Sequence, residues 1–167
     1  MLEKPEIYPE LQALARIWVP LRDEVMPNLY VAREMNDDRA ASGAWRVLPF
    51  RPRLEDRAAF SPDTIALARQ KAPQLCAVLD EVPRLHAYYL SIVYPGHAIR
   101  VHSHRTALAG ASLCLSGGLG AYLEIDGERH GQHDGSMHIY DQRRRHGVFN
   151  DGPAPRIALI VSIELRR

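Results

Sequence analysis

Residues 85–104 read Leu-His-Ala-Tyr-Tyr-Leu-Ser-Ile-Val-Tyr-Pro-Gly-His-Ala-Ile-Arg-Val-His-Ser-His, and with them the chain changes its period. Leu85–Tyr94 is rich in Tyr, Ile and Val with an alternation of two, the pattern of a strand, and Pro95-Gly96 closes it with a turn. Ala98–His104 is the next strand. Successive side chains on a strand face opposite ways, so Ile99, Val101 and Ser103 share one face and Arg100, His102 and His104 the other. Downstream, Ala109–Leu115 reads as a strand, followed by the loop Ser116-Gly117-Gly118. Ala121–Ile125 and Glu128–His133 flank Asp126-Gly127, a dipeptide that favours a two-residue hairpin turn. Asp134-Gly135 reads as a second such turn before Met137–Tyr140, and Arg156–Leu165 is the last strand. About seven short strands at this spacing predict a sandwich or barrel, not a parallel sheet.

Upstream, residues 1–83 read mostly helical. Tyr8, Leu11, Leu14, Ala15 and Trp18 recur at three- and four-residue spacing, predicting an amphipathic helix from about Pro9. Pro20 should end or kink it, and a second piece should run through Val25 and stop near Pro27. Residues 36–44 form a polar loop. Trp45–Phe50 reads as a short strand, placed at an edge by Pro49, which cannot donate to a ladder. Ser61 and Pro62 mark a helix start, as cap and first helical residue. Ile65, Leu67 and Ala68 line that helix, Pro73 interrupts it, and Leu75, Val78 and Leu79 line a last piece. The expected class is mainly β with N-terminal helices, one domain over 1–167, with a helical flank at 1–83 and a β core at 84–167.

A chain of 167 residues with 46% hydrophobic and 25% charged residues is ordinary for a globular protein. A formal net charge of +1 argues against a nucleic-acid or membrane-surface binder, which needs a concentrated basic field. Arg143-Arg144-Arg145 is basic but short. No apolar run approaches the ~18 residues that span a bilayer, and the N-terminus lacks the order of a signal peptide. Cys76 and Cys114 make no disulfide framework and read as buried free thiols. The expected location is the cytoplasm.

Four residues carry the chemistry. His102 and His104 are two apart, His146 follows His102 by 44 residues, and Arg156 lies ten beyond. Imidazoles gathered across a small barrel can hold a metal, although neutral imidazole suits Fe, Zn, Cu and Ni alike. The common open iron site takes two histidines and one carboxylate. Here His104 stands two residues after the first histidine, where that carboxylate often sits. The site therefore holds two histidines and a water, or three histidines. The bland alternative is a pair of hydrogen-bonded surface histidines. His86, His97, His130, His133 and His138 read as structural or surface residues, with a minor second metal site open at His130, His133 and His138.

At these residues the chain resembles the aspartyl/asparaginyl β-hydroxylase family of Fe(II)/2-oxoglutarate dioxygenases, over about Trp45 to Glu164. Residues 89–102 resemble the family's strand, Pro-Gly turn and first iron histidine. Leu123–Met137 resembles its hairpin, His146-Gly-Val-Phe-Asn150 its His-x-x-x-Asn pattern, and Pro155–Ile163 its arginine strand. The resemblance implies a double-stranded β-helix, a jelly-roll, cupin-like barrel. It implies Fe(II) held by His102 and His146, and 2-oxoglutarate as co-substrate held by Arg156 with help from Ser91. It also implies O2 and a small-molecule or peptidyl substrate as partners, with no nucleic acid or membrane involved. The chain departs from the family at His104. It departs again at Ala111-Ser112-Leu113-Cys114-Leu115, where Arg and His of an Arg-x-His motif are usual. The run Arg143–Arg145 could replace that lost charge at the site mouth, or simply be solvated.

Three readings follow. One is a 2-oxoglutarate hydroxylase. Another is a three-histidine, cupin-type iron dioxygenase whose substrate chelates the metal. The third is a non-catalytic metal-binding or regulatory barrel.

Overall fold

The computed structural model describes residues 1–166. Two helices come first, α1 (Pro9–Arg16) and α2 (Trp18–Val25), then two strands, β1 (Arg33–Glu34) and β2 (Trp45–Arg51). Helices α3 (Pro62–Lys71) and α4 (Pro73–Asp80) precede eight further strands: β3 (Leu85–Val93), β4 (His97–His102), β5 (Leu108–Ser116), β6 (Ala121–Ile125), β7 (Glu128–Gly131), β8 (Met137–Asp141), β9 (His146–Asn150) and β10 (Arg156–Glu164). One sheet has the order β1-β2-β3-β10-β5-β8 and the other β4-β9-β6-β7, with every pairing antiparallel.

Strand β10 explains the layering. Ile157, Leu159, Val161 and Ile163 belong to the apolar cluster shared with Leu11, Leu14, Leu21, Leu75 and Leu79 of the helices. By alternation, Arg156, Ala158, Ile160 and Ser162 face between the sheets. Strand β5 repeats this: Ala109, Ala111, Leu113 and Leu115 meet the helices, while Gly110, Ser112 and Cys114 face inward. A second apolar cluster, with Trp45, Val47, Ile99, Leu123, Tyr140 and Val148, fills the space between the sheets. Small inward residues on β10 and β5 leave room there for larger side chains. A Cβ on Gly110 would lie 2.9 Å from the Tyr140 ring. The result is a double-stranded β-helix with helices packed on the outside of its larger sheet.

Local signals are met at several ends. Ser61 Oγ accepts from the Thr64 backbone N–H at 3.2 Å, and Pro62 opens α3. Asp126 and Gly127 take φ of 51° and 84°, and β6 pairs with β7 as a hairpin. Strand β1 flanks β2 only at Arg46 and Val47, so Pro49 does lie on an open edge.

Several expectations are corrected. The break between α1 and α2 falls at Ile17, not Pro20. Pro20 sits in the first turn of α2, where no N–H is needed. Asp134-Gly135 does not close a hairpin, because β7 pairs with β6 in one sheet and β8 with β5 in the other. From Leu85 on, the described residues hold eight strands rather than about seven, β9 being the one added, and β1 is a further short strand upstream. β1 and β2 precede the helices α3 and α4. Strand β4 ends at His102, so His104 is not on it. Finally, β4 is bulged. Ile99 pairs with Val148 while His102 pairs with His146, which leaves one extra residue on β4. A bulge re-aims the side chains beyond it. Ile99 and His102, on opposite faces by strict alternation, therefore line the same cavity.

Candidate metal centre

The bulge turns His102 toward His146, its cross-strand partner, and brings their ring centroids to 4.5 Å. Each ring is tied down in the same way. His102 Nδ1 lies 2.8 Å from the Arg100 carbonyl, and His146 Nδ1 lies 2.8 Å from the Arg144 carbonyl. A carbonyl only accepts, so each Nδ1 donates and carries the proton. Each Nε2 then keeps a free lone pair, the usual orientation device for a metal-binding histidine. Burial pushes the pKa of His146 down to about 4 and lowers that of His102. Both rings are neutral, ligand-competent bases near pH 7.

His104 enters from the turn after β4, where its backbone N–H donates to the Gln142 carbonyl at 2.9 Å. One nitrogen from each of His102, His104 and His146 falls in a group whose members all lie within 4.8 Å of one another. This donor set fits a metal ion. His104 has other partners as well. Arg53 Nη1 lies 2.5 Å from its Nε2 and 3.1 Å from its Nδ1, and Glu55 Oε1 lies 3.0 Å from Nδ1. Burial, then the Arg53 cation, drive its pKa down to about 2.

The histidines line a cleft whose walls include Arg39, Arg53, Trp45, Asp56, Tyr89, Ser91 and Tyr140. Arg39 is held by Asp37 at 2.5 Å and lies over the Trp45 ring at 5.3 Å. Asp37 is held down to about 2 by the Arg39 hydrogen bonds. Tyr140 packs on His146 at 4.8 Å between ring centroids, and burial pushes its pKa up to about 12. Its hydroxyl is not a base near neutrality.

Ser91 is buried in this cleft and accepts from the Trp45 indole N–H at 3.0 Å. Arg156 is not among the cleft's lining residues. It is wholly buried, donating through Nε to Gln132 Oε1 and through Nη2 to Ser112 Oγ, each at 2.6 Å. Asn150 explains the His-x-x-x-Asn spacing. Its Nδ2 donates to the carbonyls of Val93 and Ala154, each at 2.8 Å, and its Oδ1 accepts from Gly152 N–H at 3.0 Å. It pins the end of β9 to β3 and to the turn that launches Arg156.

The run Arg143–Arg145 does not restore charge to the cleft. Arg143 pairs with Asp141 and Arg144 with Asp126, both outside it. Arg39 and Arg53 supply that charge, and they come from the loop 36–44 and the segment after β2. No periodicity marks either residue. His130 and His138 are not plain surface groups, because each buries an unpartnered ring nitrogen. His130, His133 and His138 do not form a metal-holding group among the described residues.

A family model described as aspartyl/asparaginyl beta-hydroxylase matches residues 5–165. The chain belongs to that family. Solved structures of other proteins also resemble the fold. A protein described as a predicted oxalate decarboxylase from Thermotoga maritima matches at 14% identity, with a TM-score of 0.53 over 80% of this chain and 92% of its own. A cupin domain of an XRE family transcriptional regulator from Enterobacter cloacae matches at 18% identity and a TM-score of 0.45, over 53% and 90%. At such identities the likeness is of fold alone. No curated protein matches the chain in sequence. Among the described residues no helix is long and apolar enough to cross a membrane.

Proposed function

We propose that this β-hydroxylase family member is an Fe(II)/2-oxoglutarate-dependent hydroxylase acting on an amino-acid, peptidyl or related small substrate. His102 and His146 would hold the iron through Nε2, each ring oriented by its Nδ1–H hydrogen bond. Ferrous iron with the keto acid supplies the oxygen chemistry, and the protein positions the reactants and excludes water.

The observation that carries the co-substrate reading is Arg156. It is 0% exposed, faces between the sheets, has no carboxylate partner, and leaves Nη1 unpartnered. A buried cation is costly unless paired. A planar guanidinium suits a carboxylate through two parallel bonds, and the distal carboxylate of a keto acid is such a partner. Ser91, on the neighbouring strand between the levels of Arg156 and Ile160, lies on the way from the histidines.

The test is an anaerobic titration of the Fe(II) protein with 2-oxoglutarate, followed by a screen of substrates for coupled succinate. A visible metal-to-keto-acid absorption band and ferrous-dependent succinate support the reading. Absence of both removes it. The three-histidine dioxygenase is kept as a second reading because His104 also presents a nitrogen within 4.8 Å of the other two. It requires oxygen consumption without 2-oxoglutarate.

A further inference from the structure

Arg156 Nη1, His138 Nδ1 and His130 Nε2 are buried side-chain nitrogens without a hydrogen-bond partner among the described residues, although Glu128 Oε2 stands 3.6 Å from His130 Nε2. The grouping follows from the strands. Ser112, which accepts from Arg156 Nη2 at 2.6 Å, is the cross-strand partner of His138. Gln132 joins them, accepting from Arg156 Nε at 2.6 Å and donating to Ser112 at 3.4 Å. His130 lies 6.1 Å from His138 between ring centroids. His138 also shares a strand face with Tyr140, two residues on, which lines the metal cleft.

We propose that Arg156 Nη1 and His138 Nδ1 together bind one carboxylate inside the barrel, as its two donors. This rests on the co-substrate reading for the ligand's identity and adds a residue to it. The chemistry is consistent. Burial holds the His138 pKa down to about 4, so the ring is neutral, and in its Nδ1–H tautomer it donates to a carboxylate oxygen. Ser112 and Gln132 fix the guanidinium through its other nitrogens, leaving Nη1 free. The family's usual Arg-x-His is missing on β5, which reads Ala111-Ser112-Leu113-Cys114-Leu115. His138, across the ladder from the inward-facing Ser112, would give the carboxylate a different contact.

The test is anaerobic calorimetry of the Fe(II) protein with 2-oxoglutarate, succinate and pyruvate, the last lacking a distal carboxylate. His138→Leu should weaken 2-oxoglutarate and succinate about tenfold or more, as expected for a lost hydrogen bond to a charged group. Pyruvate binding should be unchanged. His138→Asn, whose amide N–H sits near the place of Nδ1–H, should recover dicarboxylate affinity to within about threefold of the parent. Equal binding of all three ligands by parent and His138→Leu overturns the role of His138 and leaves the co-substrate reading standing. A parent that binds pyruvate but neither dicarboxylate overturns both. An equal loss of all three ligands in His138→Leu, unrescued by Asn, makes the ring structural and also overturns the proposal.

Discussion

His102 and His146 face each other across β4 and β9 with ring centroids 4.5 Å apart, and each fixes its own tautomer on the carbonyl two residues before it. Arg100 and Arg144 supply those carbonyls. The two strands thus use one local device twice and aim two Nε2 lone pairs at one point. A metal ion bound there should need both rings. His102→Ala and His146→Ala should each lose Fe(II) affinity by more than the roughly 10–100-fold that losing an outer hydrogen-bond partner costs. Their circular dichroism should stay that of the parent. Unchanged Fe(II) titrations in both variants would remove the site.

His104 should behave differently. Arg53 donates to its ring, at 2.5 Å from Nε2, and an acceptor lone pair so engaged is not free for a metal. The turn after β4 also releases it from the strand that aims His102. His104→Ala should therefore change Fe(II) affinity by no more than roughly threefold. A large loss in an anaerobic titration would make His104 a ligand and favour the three-histidine reading.

Arg156 should set the affinity for the keto acid. Lys keeps the charge but loses the fork, so Arg156→Lys should raise the 2-oxoglutarate concentration needed for succinate formation. Arg156→Ala should raise it much further, by about 2–5 kcal/mol of binding, because a buried carboxylate is left unpaired. It also strips Gln132 and Ser112 of a donor, so its melting temperature should fall. If both variants bind 2-oxoglutarate like the parent, the arginine serves the fold alone.

Acid should destabilise the metal-free protein earlier than carboxylate protonation would. Burial holds the His138 pKa in the folded protein down to about 4, against about 6.5 for an ordinary histidine. Between those values the unfolded chain binds a proton that the folded protein does not. Stability therefore rises with pH across the window and is lost as pH falls through it. Melting temperatures taken from pH 8 to pH 4 should begin to drop below about pH 6.5. The drop should be shallower in His138→Asn, and identical profiles would contradict this.

Much of the fold was legible because it rests on local chemistry. Alternation marked β3, β5 and β10, Asp126-Gly127 marked the β6–β7 hairpin, and Ser61-Pro62 marked the start of α3. Strand β9 was legible only as a motif, because Gly147 and Asn150 break its apolar pattern while Asn150 makes tertiary bonds. Asp134-Gly135 looked like another hairpin because a turn dipeptide specifies a bend, not the sheet to which the next strand goes.

The sequence by itself determined the donor types, their order along the chain and the barrel that would gather them, since residue chemistry and period are local properties. Only the tertiary structure decided how those residues face. One extra residue on β4 turned His102 into the cleft beside Ile99, which no count of alternating positions contains. Arg39 and Arg53 became cleft residues through chain segments far from the histidines in sequence. Arg156, His138 and Gln132 met because β10, β5, β8 and the end of β7 converge between the sheets. Register, bulges and burial arise from contacts between distant segments, and those contacts exist only once the sheets have closed on each other.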